Sequence, residues 1–124
     1  MNFEVIHMWS PDCDIETFNP YEDPHNYIED INYEFPECWI ILLEMTIGYN
    51  GVGQNYHCYV CTIEYIRREL PFFPEKTLIV NEWNLNEIKE TINNIVKHCI
   101  QEKPENTFKE LSKCFYWEFD NYQS

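Results

Sequence analysis

Apolar and polar positions alternate along the first two thirds of this chain and then change period. Residues 3–9 place Phe3, Val5, His7 and Trp9 on one side and Glu4, Ile6 and Met8 on the other. This is a strand pattern, with apolar residues on both sides. Ser10-Pro11-Asp12 breaks it. Residues 39–47 are the clearest strand: Trp39, Ile41, Leu43, Met45 and Ile47 share one face at period two. Ile40, Leu42, Glu44 and Thr46 make the other face, which is apolar at one end and so predicts half cover. Residues 48–55 hold all three glycines and read as a hairpin loop. Residues 56–66, rich in β-branched and aromatic side chains, read as the return strand, closed by Pro71 and Pro74. Thr77-Leu78-Ile79-Val80 reads as a short buried strand.

The period then becomes helical. Leu85, Ile88, Ile92, Ile95, Val96 and Cys99 fall on one stripe, with Asn84 and Glu87 spaced as a capping box. Pro104 separates a second helix, for which Thr107 and Glu110 repeat the capping spacing and Phe108, Leu111 and Phe115 give an inner face. Residues 116–119 either prolong that helix or form an aromatic tether. Strands first and helices last predict an α+β fold: an antiparallel sheet of about four strands covered by two carboxy-terminal helices. With 124 residues and no repeat or linker, residues 1–124 are expected to form one domain.

Between the first two strands, residues 10–36 carry Pro11, Pro20, Pro24 and Pro36 among many acids. An irregular segment this long is uncommon in a compact domain and is often functional. Charge sharpens the point. The chain carries a formal net charge of -14, and its first 66 residues contain 12 acids and no Lys or Arg, leaving -2 for the remainder. So acidic a chain is repelled by nucleic acid and by anionic membranes, which argues against a direct role on either. It attracts basic protein surfaces instead. Acids this dense also repel one another and cost stability in the free protein. A solvated face that only keeps the chain in solution is the plainer explanation. The aromatic residues set among the acids favour docking. Asp12, Asp14, Glu16, Glu22, Asp23, Glu29, Asp30 and Glu34 are the expected partner contacts, with Tyr21 and Tyr27 as anchors.

Chemistry finds less support. The amino terminus, MNFEVIHMW, does not read as a secretory signal, and the longest apolar run, residues 39–43, is far short of a membrane span. A cytoplasmic location is expected, with the six cysteines reduced and mostly buried. Cys58 and Cys61 form a CxxC, but three residues apart on a strand they point to opposite faces and cannot share a metal. His57-Cys58 and His98-Cys99 are sequence neighbours, which do not face each other in a strand or helix. The many carboxylates would form close pairs by chance, so their abundance identifies no acid/base pair. No catalytic, metal or cofactor residues are expected. Trp83, Trp117, Phe72 and Phe73 read as core or lid residues.

The order of segments resembles the immunity protein 8 family of bacterial polymorphic toxin systems. The resemblance rests on Ser10-Pro11-Asp12 after the first strand, the strand ending at Gly48, the glycine loop ending at Gly53, and Tyr59-Val60-Cys61-Thr62. Leu78-Ile79-Val80-Asn81 and the ending Phe115-Tyr116-Trp117-Glu118-Phe119-Asp120 complete it. The chain departs from the family pattern at Ile63 and Tyr65, where the family carries Pro and Trp. The resemblance implies a protein without catalytic residues that binds and blocks a cognate toxin in the cytosol. A basic nuclease domain would suit the charge, because an acidic surface can occupy a groove built for phosphates. The alternatives from other classes are a small enzyme or ligand-binding domain with its site under residues 10–36, and a homo-oligomeric structural protein.

Overall fold

The computed structural model describes residues 2–12, 38–69 and 75–119. Among them are β1 (Glu4–Trp9), β2 (Ile40–Tyr49), β3 (Val52–Thr62), α1 (Ile63–Glu69), β4 (Thr77–Val80), α2 (Leu85–Cys99), α3 (Pro104–Leu111) and β5 (Tyr116–Trp117). The class is α+β, as the patterning predicted. The strands form one sheet in the order β1-β2-β3-β4, with β5 also paired to β3.

β2 and β3 are joined by Asn50 and Gly51 alone, so the expected loop over 48–55 is mostly strand. Both turn residues have positive φ, 48° and 78°. That is the two-residue type I′ turn, whose twist matches the strands it connects. Gly48 answers a different demand: a Cβ there would collide with the Val52 carbonyl oxygen across the hairpin.

The larger departure lies at Thr62. The return strand ends there, and residues 63–69 are helical. The Thr62 hydroxyl accepts the Tyr65 N–H at 3.3 Å, the bond of an N-cap residue. The same oxygen lies 3.2 Å from the Trp39 N–H that it also accepts, while the Thr62 N–H donates to the Trp39 carbonyl at 3.0 Å. Glu64 sits in the first turn of α1 and Arg67 and Arg68 in the last, an order the helix dipole favours. With a helix intervening, β4 runs parallel to β3, from Tyr59↔Thr77 to Thr62↔Val80. The sheet is otherwise mostly antiparallel, as expected, and this one pair is its parallel exception. β4 also ends the sheet order and exposes Ile79, so it is not a buried strand.

By packing the chain falls into two units. The first comprises Met1–Met8, Glu44–His57 and Asn86–Ser124. In it α2 buries Ile88, Ile92, Val96 and Cys99, the stripe its periodicity predicted. Asn93 Oδ1 accepts the Val5 N–H at 3.2 Å and ties α2 to β1. Phe3 packs edge-on to Phe108 of α3 at 5.2 Å, and the buried Tyr56 hydroxyl donates to the Phe108 carbonyl at 2.9 Å. α3 starts at Pro104, four residues before the start that Thr107 as a cap would give, because proline is suited to the first helical position. Thr107 is therefore inside the helix and buried, and its hydroxyl accepts the Gln101 N–H at 2.8 Å. The aromatic tail is a tether: β5 runs antiparallel to β3, and Trp117 stacks on Tyr56 at 6.2 Å. Trp117 Nε1 donates to Gln54 Oε1 at 2.6 Å.

The second unit comprises Trp9–Leu43 and Cys58–Leu85. Trp39, Ile41, Leu43, Cys58 and Val60 are buried, and Trp83 meets Trp39 edge-on at 5.8 Å. Cys38, Ile40, Cys61 and Tyr65 form a separate small cluster, with Tyr59 and Ile66 against it. Cys58 and Cys61 thus lie on opposite faces of β3, as strand geometry requires.

The two turn glycines should respond differently to alanine. Gly51→Ala meets no neighbouring atom and costs only its left-handed φ, about 1 kcal/mol. Gly48→Ala must part the hairpin and should cost distinctly more, seen as a lower urea midpoint.

Candidate partner-binding surface

Among the expected contacts, Asp12 alone falls within the described residues; Asp14, Glu16, Tyr21, Glu22, Asp23, Tyr27, Glu29, Asp30 and Glu34 lie outside them. Phe72 and Phe73 lie outside them too. Asp12 proves to have structural work. Ser10 is buried and its hydroxyl accepts the Asp12 N–H at 3.1 Å, closing a tight turn after β1. Asp12 Oδ2 then accepts the Leu42 N–H of β2 at 2.7 Å. The carboxylate stands in for a strand carbonyl where β1 has stopped. A charge-assisted bond of this kind is among the stronger ones available to a backbone donor.

Trp9 is a residue that sequence reasoning placed differently. Alternation set it on the same side as Phe3, yet it is 46% exposed, while Phe3 is buried. Its place at the last position of β1, directly before the Ser-Pro-Asp turn, was the available signal. An exposed tryptophan at the start of an acidic segment is a typical interface anchor.

In the first unit, one sheet face carries a row of half-exposed polar and aromatic groups. Thr46 Oγ1 donates to Asn55 Oδ1 at 2.9 Å, and the Glu118 N–H donates to the Asn55 carbonyl at 3.2 Å. His57 stacks on Tyr116 at 4.9 Å, which accounts for its position without a catalytic role. Ile6 is 50% exposed on β1.

The thiols are positioned for packing. Burial pushes Cys58 up to about 12 and Cys61 up to about 11, the latter also raised by neighbouring Cys38. Neither is a nucleophile near neutral pH. His98 Nδ1 lies 2.7 Å from the Asn94 carbonyl, one turn back on its own helix. Among the described residues no group of three or more His, Cys, Asp or Glu side chains could hold a metal ion. No helix among them is long and apolar enough to cross a membrane.

The family model for immunity protein 8 matches residues 6–122. The chain belongs to the immunity protein 8 family. No curated protein and no solved structure matches it. Membership in the immunity protein 8 family implies an immunity protein of toxin systems, with a toxin as partner and a role other than catalysis. The structure also gives meaning to the two departures from the family pattern. Ile63 is the first residue of α1, the position where proline is favoured in helices, and Tyr65 fills the small cluster with Cys38, Ile40 and Cys61.

Asp12→Ala should destabilise the protein by about 1.5–3 kcal/mol, the range for a hydrogen bond to a charged group, measured by urea unfolding. Alkali should act through the thiols. Their raised folded pKa values mean that the stability they contribute is full below the unfolded value of 9.0 and is lost as pH rises through about 11–12.

Proposed function

We propose that this protein protects the cell that makes it by binding a cognate toxin domain in the cytoplasm and blocking it through its acidic amino-terminal half. On this reading residues 1–124 act together as one immunity domain. The observation that carries the proposal is the segregation of charge within a chain of this family: 12 acids and no base in the first 66 residues. A surface of that kind speeds encounter with a basic partner and rejects acidic ones. Asp14, Glu16, Glu22, Asp23, Glu29, Asp30 and Glu34 are the proposed contacts, with Tyr21, Tyr27 and the exposed Trp9 as anchors. Asp12 contributes by holding the start of that segment to β2. A basic nuclease domain fits best, since its phosphate groove already selects for negative charge.

Co-expression with the toxin domain tests this. Reversing Asp14, Glu16, Asp23 and Glu29 to Lys should abolish protection without lowering the urea midpoint. Trp9→Ala should weaken binding by about thirtyfold, the loss typical of an interface anchor. The association rate should fall by about tenfold or more as salt is raised. Intact protection by the charge-reversed protein, or a rate indifferent to salt, would remove the acidic half from the interface.

A further inference from the structure

Five cysteines lie among the described residues, and none of the five is in a disulfide. Cys38, Cys58 and Cys61 are sealed in the second unit, each 2% exposed or less. The pair in the first unit is different. Cys99, the last residue of α2, is buried, while Cys114, in the turn after α3, is exposed. Their sulfurs stand 4.0 Å apart, across 15 positions of sequence. Both are held from the backbone. Cys99 ends the buried stripe of α2, and the Cys114 N–H donates to the Leu111 carbonyl at 3.0 Å. The flanking Phe115 N–H donates to the same carbonyl at 2.9 Å, and Phe115 is itself buried. The turn therefore presents one sulfur to solvent and keeps its neighbour directly behind it.

We propose that Cys99 and Cys114 are an oxidative modification site, at which a hydroperoxide converts the two thiols into an intramolecular disulfide. The exposed Cys114 attacks first. Its sulfur bonds to one peroxide oxygen, the O–O bond breaks, and the departing oxygen leaves as alcohol, or as water from hydrogen peroxide, carrying the thiol proton. Cys114 is then a sulfenic acid. The Cys99 sulfur attacks that sulfur, the S–O bond breaks, and hydroxide leaves with the Cys99 proton as water. In sum two thiols lose two electrons and two protons, and the peroxide takes them up.

The order of attack follows from the surroundings. Burial and the proximity of Cys114 push the Cys99 thiol up to about 11, so it resolves the intermediate and does not initiate. Glu110 raises Cys99 further, while Lys113 favours its thiolate. Lys113 donates to Glu110 Oε1 at 2.7 Å, so its charge is partly offset there. The disulfide would staple the end of α2 to the turn that follows α3, and cytoplasmic thiols could reverse it.

The test uses the full chain, fully reduced, treated with hydrogen peroxide, then denatured and alkylated with iodoacetamide. The chain has six cysteines, so untreated protein takes six labels and treated protein should take two fewer. Peptide mapping should join Cys99 to Cys114, and dithiothreitol should restore all six labels. Cys114→Ser, an exposed and conservative change, should lose one label and then show no further loss on peroxide treatment. Six labels after treatment would overturn the proposal. So would a bridge joining any other pair, a bridge between two chains, or Cys114 carried to the sulfinic acid with Cys99 still alkylated.

Discussion

The register of the β2–β3 hairpin is the constraint on which the other elements depend. Its two-residue turn leaves no slack, and the close approach at Gly48 reinforces the alignment. With the turn set, Trp39, Ile41, Leu43, Met45 and Ile47 of one arm and Tyr56, Cys58 and Val60 of the other are all buried. A slip of one residue would send every one of them to the opposite face. β1 then adds to β2, while β4 and β5 both add to β3. In the first unit the Tyr56 hydroxyl fixes α3 to the same strand.

Thr62 is where this plan is interrupted. One hydroxyl accepts N–H groups from the start of α1 and from Trp39, so a strand ends and a helix begins with buried backbone donors satisfied. The change of structure turns the chain to the other side of the sheet, where Cys38, Ile40, Cys61 and Tyr65 make a second small cluster. It also makes a parallel β4 possible, since a parallel neighbour needs a crossover and a hairpin cannot supply it.

These features differ in how far the sequence disclosed them. The alternation of residues 39–47 and the helical stripe from Ile88 to Cys99 were plain, because long periodic burial leaves a long periodic signal. α1 was hidden because Ile63, Tyr65 and Ile66 favour strands. Thr62 as a cap, Glu64 ahead of Arg67 and Arg68, and the pairing of Glu64 with both arginines were the opposing clues. Over seven residues such local terms are small and packing decides. The Asn50-Gly51 turn was legible in type but drowned beside two other glycines, Gly48 and Gly53. At the candidate surface, the excess of acid was obvious by counting. That Asp12 serves the backbone while Trp9 faces solvent was not, since both depend on where β1 stops.

The anchoring of Asp12 has a wider meaning. One end of the acidic segment is fastened to Leu42, and the other resumes at Trp39, which is bonded to Thr62. Both fastenings are made by residues outside 13–37. The entropic cost of closing a connection rises only with the logarithm of its length, about 0.6 kcal/mol for each doubling. On that scale a relative with a connection twice as long between these two fastenings would lose only about 0.6 kcal/mol more in closure entropy. Under the proposed function, the number of contacts can then differ between relatives while the bonds of Asp12 to Leu42 and of Trp39 to Thr62 stay the same, as a protector chasing a changing toxin requires.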